Sequence, residues 1–409
     1  YKYRCRLEKV KGVHHFKMFK SSPSPIDLVT RAKAALEAAI SAESSAGATK
    51  APKSSYDSLH KSSLGVSVGV TAGASSTAKA PQTAVPSVST FLPSTEINND
   101  ASVFYNSLAE HLSAIRIVFY GEAEQPPIPA KSLEMRNVIL SSPKIFEIFV
   151  LLIGHIKYIP FQVRKDTAAI FTHLTRQDAL NEGKNSSSPN FSHYILSRYN
   201  EIIPPLIDGH RNADIALICG SMFRSTTANV ELYKKIIADP RIWIFFDEIV
   251  HMPNFDIVSD TFETITTLLS RKEGGVFLEN NYDIIFPKYE KILKSNNYIS
   301  RRLSLKLLAE LLLDRVNFSV MMRYISSRQN LITLMNLLRD PSGNIQFEAF
   351  HVFKVFVVNP RKPPEINKIL FENKMKLCLY LENFHKEKEE DEQFRDEKKL
   401  VIDTLNALS

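Results

Sequence analysis

From residue 101 onward the apolar positions recur at three- and four-residue spacing, the period of a helix with one buried face. Phe104, Leu108, Leu112, Ile115 and Phe119 form the first long stripe, and Gly121 stands where a left-handed cap would end it. A shorter stripe comes before it. Ser24-Pro25 reads as an N-cap with a first-turn proline, followed by Ile26, Val29, Leu36 and Ile40 on one face. Between the two stripes the pattern vanishes. About two-thirds of residues 41–90 are Ser, Ala, Thr, Gly or Pro, and Tyr56 is the one aromatic. Such a stretch buries too little apolar surface to offset its ordering entropy, so 41–100 is expected to be a low-complexity, disordered insertion.

Beyond the insertion one helical element recurs: a small or acidic residue beside an apolar one, then apolar positions at helical spacing. It appears as VRKDTAAIFTHL, DIALICGSMF, DIVSDTFETITTLL, ISRRLSLKLLAELLL and IQFEAFHVFKVFV. Aligning Val163, Ile215, Ile257, Ile299 and Ile345 gives steps of 52, 42, 42 and 46, and the polar loop 181–190 accounts for the excess in the longest. A period of about 40–47 residues with two or three helices per unit belongs to armadillo and HEAT repeats. The expected fold is therefore all-α, an armadillo/HEAT-like helical repeat superhelix (α-solenoid) spanning 22–409. Its units would bury their apolar faces on one another and leave a concave surface. A single irregular helical domain is the alternative. With only 13 Gly in 409 residues, the chain is poor in the residue that sandwiches, barrels and nucleotide-binding folds spend on turns.

Charge changes the picture little. Residues 1–20 hold seven basic side chains against one acid, Glu8, so nearly all of the net charge of +7 sits there. Residues 1–21 are expected to be a basic, disordered extension. Residues 1–17 have the look of an upstream addition, since Met18 opens a segment that reads like a natural start. The folded body is close to neutral, which argues against nucleic acid as a partner. No apolar run is long enough to cross a bilayer, which argues against membrane insertion. Cys5, Cys219 and Cys378 are too scattered for a disulfide framework or a thiolate metal site. A cytoplasmic location is expected.

Catalytic patterns are missing. Gly65, Gly69 and Gly73 lie in low-complexity sequence with no following lysine-and-helix signature, and no nucleophile elbow, zinc helix or calcium loop is present. Cys219 and His351 sit among large apolar residues and read as core, as does Trp243. His14-His15 lack supporting ligands. The run 387–399, EKEEDEQFRDEKK, alternates acids with bases and reads as a solvated helix face. No enzyme, metal or cofactor is expected.

The strings YEKILKSNNYISRRLSLKLLAELLLDRVNFSVMMRYIS, LMNLLRDPSGNIQFEAFHVFKVFVVNPRK and EDEQFRDEK closely resemble the calcium-binding protein 39 family of armadillo-like kinase scaffolds, called HymA-like in fungi. At lower similarity the resemblance runs through DIALICGSMFR and VFYGEAEQPP to SPIDLV. It covers nearly all of 22–409 apart from the insertion.

The resemblance implies a non-catalytic scaffold that binds and activates a protein kinase or pseudokinase of the sterile-20 (germinal-centre) type. In a fungal-type organism it implies a role in a nuclear-Dbf2-related kinase cascade for polarity, morphogenesis and cell separation. The matching kinase-binding positions on the concave face are Tyr298, Arg302, Lys306, Arg315 and Phe318. The first three stand at i, i+4, i+8 on one helix face; spacing alone would equally describe a solvated basic face. A second surface takes the partner's hydrophobic C-terminal tail, with Met335 at a pocket position. Glu372 stands where animal members carry lysine, which implies a different tail. The alternative is a generic armadillo-repeat adaptor. An armadillo transport receptor, with its ladder of tryptophans, is excluded by a chain with one Trp.

Overall fold

The computed structural model describes residues 23–45, 99–122, 125–141, 143–180 and 190–408. Among them are nineteen α-helices, and the only β-type pairing is an isolated bridge between Glu122 and Gln125. The first seven are Pro25–Ser45 (α1), Asn99–Tyr120 (α2), Pro129–Leu140 (α3), Pro143–Gly154 (α4), Phe161–Leu180 (α5), Phe191–Ser197 (α6) and Tyr199–Gly209 (α7). Next come Ala216–Thr226 (α8), Val230–Ile237 (α9), Trp243–Asp247 (α10), Phe255–Leu269 (α11), Lys272–Asn280 (α12) and Tyr282–Leu293 (α13). The last six are Tyr298–Leu313 (α14), Phe318–Ile325 (α15), Arg328–Leu337 (α16), Gly343–Val358 (α17), Pro364–Glu382 (α18) and Glu392–Asn406 (α19).

The five aligned sequence elements are α5, α8, α11, α14 and α17. Together with α2 before them and α19 after, they form a ladder in which each helix packs on the next. Val163, Ile215, Ile257 and Ile345 are buried in it and Ile299 is half-buried. The remaining helices back this ladder: α7 lies on α4 and α8, α13 on α14, and α16 on α17. Starts are set by polar caps. Asn229, Asn254, Asn297 and Asp391 each accept hydrogen bonds from the first free amides of α9, α11, α14 and α19. Gly121 ends α2 with φ 77°, and a Cβ there would sit 2.2 Å from the Gln125 carbonyl oxygen.

Polar side chains fix the stagger of the ladder. The residue three positions after the aligned apolar one is Asp166 on α5, Asp260 on α11 and Glu348 on α17. Each faces an arginine from the preceding ladder helix: Arg116 at 2.8 Å, Arg224 at 2.8 Å and Arg302 at 3.8 Å.

The helices flanking the insertion pack against each other along their length, joined by the Tyr105 hydroxyl donating to Glu43 at 2.9 Å. Helix α1 therefore continues to Ser45, past the expected boundary at 41, because this partner stabilises its last turn; α2 resumes at Asn99. Residues 46–98, most of the expected insertion, and residues 1–22, with the basic extension, lie outside the described residues.

Candidate functional site

Helix α14 presents two different faces. One buries Ser300, Ser304, Leu305, Leu308 and Leu312 against the neighbouring helices. Asn297 caps its start and also donates to the Met252 carbonyl at 3.0 Å, pinning the helix to the turn before α11. The opposite face carries Tyr298, Arg302 and Lys306, one turn apart. The Tyr298 hydroxyl accepts from Asn344 of α17 at 3.1 Å, and that bond holds its pKa below the ordinary phenol value. Arg302 is 46% exposed and stands 3.8 Å from Glu348, beyond hydrogen-bonding distance. Burial raises the Glu348 pKa, and Arg302 and Lys306 oppose that rise. Lys306 is exposed and makes no ion pair among the described residues.

Arg315 and Phe318 lie beyond the other end of α14, in the short turn Arg315–Asn317 and the first residue of α15. Asp314 accepts from the Val316 amide, and buried Asn317 donates to Leu311. Both bonds hold the turn so that Phe318, 62% exposed, projects outward. Sixteen residues of α14 separate Tyr298 from this turn, roughly 24 Å at the helical rise. The five positions form a strip rather than a cluster. A strip that long, with no convergent acid, base or nucleophile, suits a protein surface and not a small substrate.

Phe318 stands at the rim of an apolar groove of about 640 Å³ between the ends of α14 and α17, one face of α15, and α19. Leu313, Met321, Met322, Val358 and Leu400 line it, with the Lys354–Glu397 ion pair (2.6 Å) at its floor. Nothing in the sequence pattern joined these distant segments. The exposed Phe318 and the adjacent pair Met321-Met322 were the visible traces.

Met335, on α16, is half-buried against the core, between the pocket and core extremes. Glu372 is exposed on α18, 3.9 Å from Lys368. Helices α16 and α18 touch, and α18 turns Phe371, Met375 and Leu379 to solvent, Met375 being 74% exposed. That i, i+4, i+8 apolar row on the outward face is legible in the string FENKMKLCL.

Other expectations resolve by packing. Cys219 is buried, and its thiol pKa is pushed to about 12 by desolvation, so it is structural. Trp243 is only half-buried, tilted on Phe246 and Phe277, rather than a full core anchor. His351 is half-buried too, and burial, with Lys354 beside it, lowers its pKa. The run 387–399 is not wholly a solvated face: Lys398 is buried, bonding Glu389 and the Phe384 carbonyl, and Glu397 reaches Lys354. Helix α19 closes the ladder with those two residues. Among the described residues no three His, Cys, Asp or Glu side chains gather as a metal site, and no single helix is long and apolar enough to cross a membrane.

The family profile described as Mo25-like matches residues 72–409. The human protein named calcium-binding protein 39-like is 41% identical over 303 residues, 74% of this chain and 86% of that protein. The Mo25-like protein of Schizosaccharomyces pombe is 38% identical over 319 residues, 78% of this chain and 93% of that protein. The conidiophore development protein hymA of Emericella nidulans is 32% identical over 357 residues, 81% of this chain and 91% of that protein. The chain belongs to the Mo25-like family, whose members are non-catalytic helical scaffolds that partner protein kinases.

Proposed function

We propose that this chain binds the kinase domain of a sterile-20-type kinase, or a pseudokinase of that type, along α14 and holds it in its active arrangement. Tyr298, Arg302 and Lys306 supply the polar part of that surface, and Arg315 with Phe318 the far end. The partner's hydrophobic C-terminal tail lies against α16 and α18, where Met335 and the row Phe371, Met375, Leu379 offer apolar contact. Glu372 beside that row favours a tail less acidic than the one a lysine would accept. The fungal likeness, with a relative named for conidiophore development, supports a role in a nuclear-Dbf2-related cascade for polarised growth and cell separation. The protein then works in the cytoplasm, concentrated at growth sites.

One observation carries this reading: the arginine facing the α17 acid is exposed and out of bonding range, while its counterpart between α8 and α11 is sealed. At that distance the arginine holds α14 to α17 only weakly, which leaves most of its hydrogen-bonding capacity for a partner. The test is affinity purification with tandem mass spectrometry, comparing wild type with Arg302→Ala, followed by assay of the recovered kinase with and without the purified chain. A sterile-20-type kinase present with wild type, depleted with the variant and activated several-fold on addition is the expected result. Recovery of non-kinase partners alone would favour a generic armadillo adaptor.

A further inference from the structure

The groove between α14, α15, α17 and α19 has chemistry of its own. Its walls are apolar and its exposed members, Leu313, Phe318, Val358 and Leu400, come from four separate helices. Exposed apolar side chains converging on one concavity mark a binding surface far better than the same residues scattered singly. Met321 and Met322 lie side by side in the wall, and flexible thioethers adapt to more than one bulky guest. A volume of about 640 Å³ holds roughly two or three large side chains.

Its polar groups say what kind of guest fits. The Lys354 ammonium is already taken by Glu397 at 2.6 Å and lies 3.4 Å from His351, so the floor is neutralised. The Asn359 carboxamide is occupied at both ends by the Arg361 backbone, accepting from its amide at 3.0 Å and donating to its carbonyl at 3.2 Å. These two bonds fix the turn that carries Arg361 to the groove's edge. Of the three charged residues that line the groove, Arg361 alone has no ion-pair partner among the described residues, and it is exposed. The uncommitted charge at this mouth is positive. A guest with only apolar groups would leave it unused, and a basic guest would meet repulsion.

We propose that this groove is a docking site for a short peptide segment of a partner protein, one that inserts two or three bulky apolar side chains and sets an aspartate or glutamate against Arg361. It is a site separate from the row on α18; it shares Phe318 with the far end of the proposed kinase surface, and its test by peptides alone does not require the partner to be a kinase.

The test is selection of displayed random peptides on the full chain, with binding of the selected peptides then measured by fluorescence anisotropy. Three variants discriminate. Val358→Asp with Leu400→Asp alters two exposed wall residues, Arg361→Glu reverses the charge at the edge, and Met375→Asp disrupts the α18 row instead. The expected peptides combine bulky apolar residues with an acid. They lose about tenfold or more in affinity on the double wall variant, weaken several-fold on Arg361→Glu, and bind Met375→Asp as they bind wild type. Thermal melts of all three should match wild type, because every substituted residue is exposed. Arg361→Glu, used as bait, should select peptides carrying lysine or arginine in place of the acid. Failure to enrich any peptide overturns the proposal, as does affinity that survives the wall variant or follows Met375→Asp. Equal affinity for acidic and basic peptides refutes the role of Arg361.

Discussion

The middle of the ladder and its C-terminal end use one pairing scheme with opposite outcomes. Between α8 and α11, Arg224 is 14% exposed and donates to the Asp260 carboxylate, the Asp260 carbonyl and the Thr264 hydroxyl. Gly220 makes room for the carboxylate: a Cβ there would meet Asp260 Oδ2 at 2.0 Å. Buried His210 closes the far side, its Nε2 3.9 Å from the same oxygen. Between α14 and α17 the matching Arg302–Glu348 pair stands at 3.8 Å with the arginine open to solvent. A sealed pair fixes how two helices stagger. An open pair at the same register is free to exchange its partner for one on another protein.

The sharpest way to break that contrast is to remove each arginine. Arg224→Ala strands Asp260 in a nearly dry site and should cost about 3–5 kcal/mol of folding stability. Arg302→Ala leaves Glu348 beside water and Lys306 and should cost no more than about 0.5 kcal/mol. Denaturant unfolding of the two variants measures both. Comparable losses would mean that the C-terminal pair is as structural as the central one.

Binding should reverse the ranking. Arg302→Glu or Lys306→Glu is expected to lower kinase-domain affinity by about 2 kcal/mol, close to 30-fold, with the melt unchanged. Calorimetric titration against the recovered kinase domain is the measurement. Arg224→Lys, if folded, should bind that domain like wild type, because Arg224 is turned inward.

A smaller effect separates the regions by pH. Burial lowers the pKa of His210, with Asp260 opposing weakly, while its Nδ1 donates to the Leu206 carbonyl at 2.8 Å. The unfolded chain takes up this proton near the ordinary value of about 6.5; the folded chain resists until lower pH. Stability is therefore intact above the unfolded value and declines as pH falls below it, until the folded histidine also protonates. His210→Gln should flatten that part of the stability–pH curve. An unchanged slope would show that other groups, such as half-buried His173, carry it.

How much of this was legible follows from where the information lies. The ladder was readable because each unit repeats the same apolar register, so Val163, Ile215, Ile257, Ile299 and Ile345 mark helices that do pack in series. The outward row Tyr298, Arg302, Lys306 was readable from helical spacing within one segment. The groove was not, since its walls come from residues as far apart as Leu313 and Leu400 and only stacking brings them together. The inward turn of Lys398 was hidden for a related reason: its partners, Glu389 and Phe384, lie across a loop whose path the charge pattern does not encode. Local periodicity predicts faces, whereas concavities depend on the angle at which faces meet.

The smallest expected effects concern methionine, and they test whether the open character of the C-terminal end extends to α16. Met222 of α8 is fully buried in the central ladder, and Met335 of α16 is half-buried beside α18. Met222→Ala should leave a cavity and cost about 2–5 kcal/mol. Met335→Ala removes fewer contacts and should cost nearer 1 kcal/mol, since solvent fills part of the space a buried residue would leave empty. Its larger consequence should be in peptide binding, where the thioether supplies contact that exists only in the complex. Glu372→Lys should change stability by no more than about 0.5 kcal/mol, because the carboxylate is exposed and its one neighbour, Lys368, is 3.9 Å away. It replaces a negative charge with a positive one beside the row Phe371, Met375, Leu379, so an acidic aromatic tail should bind this variant several-fold more tightly than wild type. Fluorescence anisotropy with one acidic tail peptide and its neutral amide analogue measures the gain. A gain confined to the acidic peptide assigns the effect to charge at position 372. An equal gain for both would mean that the longer lysine stem adds apolar contact instead, and no gain for either would place the tail away from α18.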